Sequence, residues 1–293
     1  MLEEESMVHL AQTILNGILL GGLYAVVGIG MSMIFGIMRI TNLAHGDLMV
    51  LASYLSLVLV SGLGINPFIS LVVVIPLMFV IGLIVQNSLI NRVLNKGAEP
   101  PLLVTFGLSI IIQNALLLIF TPDARMLKNS LAAKSIFLTD YLSIPVIYLV
   151  DFVIAVVVIL IFHQFYKKTY LGRAIRAASD DEGAAELVGI NTRRIYGIAM
   201  GIAMVTAAIA GILVGMTFTF YPFTGTQYLI IAFGVIVIGG LNSILGVLVG
   251  GIILGLAQLL GAELVGTGYQ LLVGYIILLL VLVIRPQGIF AKN

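Results

Sequence analysis

The 293-residue chain contains no cysteine and no tryptophan, and only 9% of its residues are charged. Without cysteine it can form no disulfide, no thiolate metal site and no catalytic thiol. A soluble domain usually carries about 25% charged residues. Here 14 Lys+Arg and 13 Asp+Glu would have to cover the whole surface, which is too few. The charges nearly cancel, at +1, so no polyanionic partner such as a nucleic acid is implied. What the chain has instead is 61% hydrophobic residues and a mean hydropathy of +1.20. These proportions exclude a soluble enzyme, a nucleic-acid binder and a disordered chain. They point to an all-α integral membrane protein with the lipid bilayer as its solvent.

A basic leader is also missing. The chain opens Met1-Leu-Glu-Glu-Glu-Ser6, and the apolar run behind it spans 10–37. That is longer than the roughly 7–15 residues of a signal-peptide core. The run is expected to stay in the membrane as a span.

A helix needs about 20 apolar residues to cross ~30 Å of hydrocarbon. Charge-free runs of this order lie at 10–37, 66–91, 100–122, 195–221 and 264–284, and 141–162 holds the single charge Asp151. The piece 48–62 is short and is closed by Gly62, Gly64 and Asn66-Pro67. The stretch 224–262 is too long for one span. Its natural break is Gly239-Gly-Leu-Asn-Ser243, because Gly and Asn favour turns. That leaves a short piece at 228–238 and a full one at 244–262. The expectation is a polytopic helical bundle of about 8–9 transmembrane segments, two of them short or broken.

Residues 1–293 are read as one transmembrane domain. The lengths run long, short, full, full in 10–121 and again in 195–284, with the span 141–162 between the two halves. The second half then enters the membrane from the opposite side, the pattern of an inverted repeat common in transporters. Lys/Arg bias orients the bundle. The loop 163–194 carries Lys167, Lys168, Arg173, Arg176, Arg193 and Arg194 and is placed in the cytoplasm. The C-terminus falls on the same side and the N-terminus outside. Loop 122–140, with Arg125, Lys128 and Lys134, also falls outside, against the bias. No Gly-x-x-x-x-Gly-Lys-Ser/Thr occurs, so the chain has no phosphate-binding loop for ATP.

Within loop 163–194, Ser179 and Glu182 have the spacing of a capping box. Asp180, Asp181 and Glu182 complement the positive end of a helix dipole, and Gly189 suits the position just past its end. A short helix over about 180–188 is expected, with Asn191 or Thr192 capping the next one. Its small or apolar Ala184, Ala185, Leu187 and Val188 must be covered, either by the bundle itself or by the groove of a partner.

Gly172-Arg-Ala-Ile-Arg-Ala-Ala178, Glu182-Gly-Ala-Ala185 and Val188-Gly-Ile-Asn191 resemble the coupling loop of permeases of branched-chain amino acid ABC importers. Asn16-Gly17, Gly21-Gly22-Leu-Tyr-Ala25, Gly28 and Thr41-Asn-Leu-Ala-His-Gly-Asp47 are similar to that family's opening pattern. Ala232-Phe233, Gly239-Gly-Leu-Asn-Ser243, Gly246, Gly250-Gly251 and Arg285-Pro286-Gln-Gly288 are similar to its second half. The resemblance runs from about residue 10 to 290 and is strongest to the shorter permease of the pair. It implies a multi-pass protein of the inner membrane that does no covalent chemistry. It further implies a second, unlike permease chain, two cytoplasmic ATPase subunits that bind ATP and Mg, and an extracytoplasmic substrate-binding protein. Gly172, Arg173, Arg176, Ser179, Asp180, Asp181, Glu182, Ala184, Ala185, Glu186 and Gly189 would form the loop that couples to the ATPases.

Short or Gly-interrupted segments in matching positions of two halves point to a transport route. They single out Asn42, His45, Gly46 and Asp47 in the first half, and Thr224, Thr226, Gln227, Gly239, Gly240 and Asn242 in the second. Donors and acceptors there suit a zwitterionic solute. The alternative is that 42–47 is a capped turn at the cytoplasmic surface, which makes it a gate rather than a pocket. His9 and His163 are too remote to complete a metal site with His45 and Asp47. Asp151 is either an intramembrane acid or, as preferred here, an acid at the outer interface of a span over about 153–168. Urea or short amides are alternative solutes for the same machinery. An ATP-independent secondary transporter would call for paired intramembrane charges, and Asp151 has no basic partner within a span. No Ser/His/Asp, Gly-x-Gly-Asp or His-Glu-x-x-His pattern supports an intramembrane enzyme.

Overall fold

A computed structural model describes residues 2–97, 99–137, 139, 142–241, 243–285 and 288–290. Eleven α-helices are present among them: α1 (Leu2–Met38), α2 (His45–Leu63), α3 (Pro67–Ser88), α4 (Glu99–Phe120), α5 (Val146–Lys168), α6 (Tyr170–Asp180), α7 (Glu182–Leu187), α8 (Thr192–Thr217), α9 (Gly225–Gly239), α10 (Ile244–Val265) and α11 (Gln270–Ile284). Between α4 and α5 a small antiparallel hairpin pairs Ser135–Phe137 with Ser143–Pro145. Eight helices are long and apolar enough to cross a membrane, and Gly225–Gly239 is a shorter apolar one. The chain is therefore a multi-pass helical membrane protein. The end of the bundle where α1 finishes and α8 begins is called the lower end below.

The break expected at 239–243 separates α9 from α10, as the turn residues there require. The other short piece differs from expectation. The first helix after α1 is not 48–62 but the 19-residue α2, which starts at His45. Its opening residues are polar, so counting apolar residues trims them from the span. His45 and Asp47 are nonetheless buried within the bundle, where the Asp47 carboxylate has hydrogen-bond partners on α4.

α1 is the central post. Its apolar stretch is almost wholly buried against α10, α8, α5 and α9. The closest packing is with α10. A Cβ added at Gly21 would stand 2.4 Å from the Ile252 Cα, and one at Gly255 would stand 2.5 Å from the Gly17 carbonyl oxygen. Lipid tails are as apolar as leucine, so helices in a membrane associate through this kind of close backbone approach. The outward faces of α4 and α11 are apolar and open, with Leu118 85% and Val283 82% exposed, as lipid contact demands.

The chain re-enters the bundle twice. After α1 ends at Met38, Arg39 adopts a positive φ of 53° and the chain turns back. Ile40, Asn42 and Ala44 are buried on the way. α2 therefore begins beside Val27, well up α1 from its end, where the His45 Nε2 lies 3.2 Å from the Val27 carbonyl oxygen. Non-helical backbone at such depth needs internal partners. The Ala44 N–H donates to the Asn42 Oδ1 (3.0 Å) and the Leu43 N–H to the Thr105 Oγ1 (3.2 Å). After α8 the segment 218–224 turns back from the opposite end. Phe220 is pinned by a two-way backbone bridge to Arg125, 2.8 Å each way. The Tyr221 N–H donates to the Thr224 Oγ1 (2.9 Å), just before α9 begins.

The α1–α10 seam makes a testable contrast. Gly21→Ala is expected to lower the melting temperature in detergent, because overpacking costs about 1–3 kcal/mol. Gly107→Ala, on α4 with nothing within 4 Å of the added Cβ, should leave it unchanged or raise it, since Ala exceeds Gly in helices by about 1 kcal/mol. Thermal unfolding of the two variants checks the difference in sign.

Candidate functional site: a junction of helix N-termini and a projecting loop

Two candidate regions emerge. In the first, the N-termini of α2 and α9 meet inside the bundle. A Cβ on Gly46 would lie 1.9 Å from the Gly225 carbonyl oxygen, and one on Gly225 would lie 2.1 Å from the Asp47 Oδ1. Only glycine fits at either position. The Asp47 carboxylate sits in the first turn of α2 and beside the first residue of α9. Both helices direct the positive ends of their dipoles at it. The Ser109 hydroxyl donates to its Oδ2 (2.5 Å), and the Gln113 Nε2 donates to its Oδ1 (3.0 Å). Gln113 also donates to the Thr226 Oγ1 (3.3 Å), so one amide spans α2, α4 and α9. Asp47 is buried, while Thr226 is exposed and Gln113 and Gln227 are half-buried. The junction therefore opens a small polar window midway along α4.

Asn42, His45, Gly46, Asp47, Thr224, Thr226 and Gln227 all gather at this junction. The surface-turn alternative is overturned: Asn42, His45 and Asp47 are each no more than 1% exposed, and Asp47 lies level with the middle of α4. Gly239 and Gly240 do not join them. They lie at the lower end of α9, where Gly239 packs on Gly246 and Gly240, with φ 103°, closes the helix against Gly288. Asn242 lies outside the described residues. Ser109 and Gln113 were missed by sequence reasoning. A signal existed, since Thr105, Ser109 and Gln113 are polar at four-residue spacing and so share one face of an otherwise apolar helix.

The span expected over about 153–168 requires a correction: α5 runs Val146–Lys168, so Asp151 lies within the helix, and its side chain is fully buried in the bundle. The Thr217 hydroxyl donates to its Oδ2 (2.8 Å), a partner on α8 that hydropathy cannot reveal.

The second region is the loop at the lower end. It holds two helices where one was expected. α6 folds sharply against the end of α5, where a Cβ on Gly172 would lie 2.4 Å from the Phe165 carbonyl oxygen. Arg173 Nη1 and Arg176 Nη2 donate to the Lys168 and Tyr166 carbonyl oxygens (3.3 and 2.7 Å), meeting orphan acceptors of α5. The expected capping box is not formed. Ser179 belongs to α6, and its Oγ donates to the Gly36 carbonyl oxygen (2.6 Å), tying α6 to the end of α1. Asp181 caps α7 instead, its Oδ1 accepting from the Ala184 N–H (2.9 Å). Asp180 closes α6, and Glu182 opens α7.

The far end of α7 is as the sequence suggested. Gly189 has φ 85°, its N–H reaches the Glu186 carbonyl oxygen, and the Ile190 N–H reaches that of Ala185, both at 3.0 Å. This is the Schellman arrangement. Glu186 Oε1 accepts from the Thr192 hydroxyl (2.6 Å), and Asn191 caps α8 through the Arg194 N–H (3.1 Å). Only Ala185 of the small apolar face is buried; Ala184 is exposed, as are Leu187 at 90% and Val188 at 76%. The loop is a hydrogen-bonded mount carrying a six-residue helix with an uncovered apolar tip.

The junction predicts a stability effect. Asp47→Asn keeps the shape but removes the charge facing two helix N-termini. It should destabilise the protein by about 1–3 kcal/mol, the worth of charged hydrogen bonds and dipoles. Thermal unfolding in detergent checks this, with a smaller loss expected for Ser109→Ala.

Comparison with known proteins places this architecture. The profile of the family described as "Branched-chain amino acid transport system / permease component" matches residues 13–282. The high-affinity branched-chain amino acid transport system permease protein BraD of Pseudomonas aeruginosa is 31% identical, over 97% of this chain and 96% of its own length. The corresponding permease protein LivH of Escherichia coli is 30% identical over 98% and 97%. The probable branched-chain amino acid transport permease protein LivH of Methanocaldococcus jannaschii is 28% identical over 94% and 91%. No solved structure matches. With a family profile and relatives that each run nearly end to end, the chain belongs to the permease components of branched-chain amino acid transport systems.

Proposed function

We propose that the chain is the membrane-spanning subunit of an ATP-driven importer of branched-chain amino acids. It works by alternating access, with energy supplied by separate ATPase chains. The observation that carries the reading is the loop at the lower end. A short helix capped at both ends by Asp181 and Gly189 presents Leu187 and Val188 to the surroundings rather than to its own bundle. An apolar tip held on hydrogen-bonded supports outside the spans fits the groove of a soluble partner. The six basic residues of loop 163–194 support a cytoplasmic lower end in this reading. The C-terminus then lies inside and the N-terminus outside.

In this reading α6 transmits motion. It is bonded to the end of α1 through Ser179 and to the end of α5 through Arg176. Closure of two ATPase chains on ATP and Mg would move α7, and through α6 the two helices that pack against the junction side and the Asp151 side of the bundle. The core is bistable rather than elastic, so a small displacement can switch access. The α2–α9 junction, an inverted pair of re-entrant helices, is the element at which the route opens. Its polar window of Gln113, Thr226 and Gln227 would face a second, unlike permease chain and line the passage between them. An extracytoplasmic binding protein delivers the amino acid to the upper end.

Leu187→Asp and Gly189→Trp test the coupling. Burial of a leucine is worth about 1.5–3 kcal/mol, so ATPase association should weaken roughly tenfold to a hundredfold, with uptake lost and membrane insertion intact. The checks are co-purification of the ATPases from native membranes and uptake of labelled leucine. Normal uptake in both variants contradicts the assignment.

A further inference from the structure

A cavity of about 880 Å³ opens at the lower end beneath α6. Its walls come from the end of α1, the end of α5, α6 and the α9–α10 turn. The polar side of the wall holds His163, Lys167, Arg176 and Asp180; the apolar side includes Ile37, Leu245 and Phe290. The basic groups stand at the level where α5 leaves the apolar zone, since Lys167 and Lys168 are its last turn. Directly above on α5, Val157, Leu160 and Ile161 are exposed, as is Leu245 at the start of α10. Leu245 itself lines the cavity, and Leu160 lies one helical turn before His163 on α5, so exposed apolar side chains stand close to the polar wall.

We propose that this cavity seats one anionic glycerophospholipid, its phosphodiester on Lys167 and Arg176 and its acyl chains on the apolar wall at Leu245 and the exposed apolar residues of α5. Charge and shape both favour that occupant. Lys167 and Arg176 against Asp180 leave one net positive charge, which matches a singly charged phosphodiester better than a dianionic free phosphate. The Arg176 guanidinium is held in place by its bond to the Tyr166 carbonyl oxygen (2.7 Å), so it is pre-organised for a second contact. Basic pockets between spans at an interface are a recurrent way of holding such headgroups. The seat lies under α6, the element that joins the projecting helix to α1 and α5, so the lipid would brace the mount of the loop. The proposal does not depend on which side of the membrane the lower end faces, nor on the solute carried.

The test is native mass spectrometry of the full-length chain released from nanodiscs of equal phosphatidylcholine and phosphatidylglycerol. The wild type is expected to retain phosphatidylglycerol in preference. Lys167→Gln should lower that preference roughly fivefold, the effect of one basic residue near an anionic headgroup. Leu245→Trp, which fills the apolar side of the cavity without touching charge, should lower retention of either lipid. Arg193→Gln, at the same end but outside the cavity, should change neither. Equal retention of the two lipids by the wild type overturns the proposal. So does an effect of Arg193→Gln equal to that of Lys167→Gln, which would mean diffuse charge. Loss of phosphatidylglycerol on adding inorganic phosphate also overturns it, because the site would then hold a soluble anion.

Discussion

Two helices that begin inside the bundle, nose to nose, set the terms for everything around them. The first turns of α2 and α9 each leave backbone N–H groups without helical partners. Placed together away from water, two such ends repel. The Asp47 carboxylate resolves this by lying at both, and Ser109 and Gln113 of α4 hold it there. Glycine at 46 and 225 is what lets the ends approach so closely. The arrangement in turn requires the chain to re-enter on both sides. Each returning segment is therefore tied down, one by Asn42 and Thr105 and the other by Phe220, Thr224 and Arg125.

The same constraint distinguishes two kinds of helix contact. α1 and α10 are locked by backbone contact along Gly17, Gly21, Gly251 and Gly255. The α2–α9 junction combines one close backbone contact at Gly46 and Gly225 with polar bonds centred on Asp47, and only Gln113 and Thr226 of that network reach a surface. At the lower end, Ser179 and Arg176 of α6 tie the mount to the ends of α1 and α5. In the proposed function, these ties are what would convey movement of the projecting helix to the central post.

Much of this was legible in the sequence where a local rule decides. Gly189 could be placed past a helix end because a left-handed residue there favours glycine, and Gly239-Gly-Leu-Asn-Ser243 could be placed between helices for the same kind of reason. The order of spans followed from hydropathy. What escaped was set by contacts between distant segments. His45, Gly46 and Asp47 read as a surface turn because their partners, Val27, Gly225, Ser109 and Gln113, come from three other helices. Asp151 read as lying outside its helix because its partner Thr217, on α8, is invisible to a window on α5. At 179–182 two residues compete to cap one helix. Spacing favoured Ser179, but α6 runs on past it and leaves Asp181 as the first residue free to turn its side chain back.

The central claim is that the α2–α9 junction meets water at mid-depth of the membrane and lines the solute's route. The chain has no native cysteine, so a single probe can be introduced without background. The direct measurement is the rate at which a water-soluble, membrane-impermeant thiol reagent modifies Thr226→Cys in the assembled transporter, beside Leu118→Cys on the lipid face of α4. The account predicts modification at 226, slowed by saturating leucine with its binding protein, and none at 118. Silence at 226 equal to that at 118, with and without substrate, would contradict it.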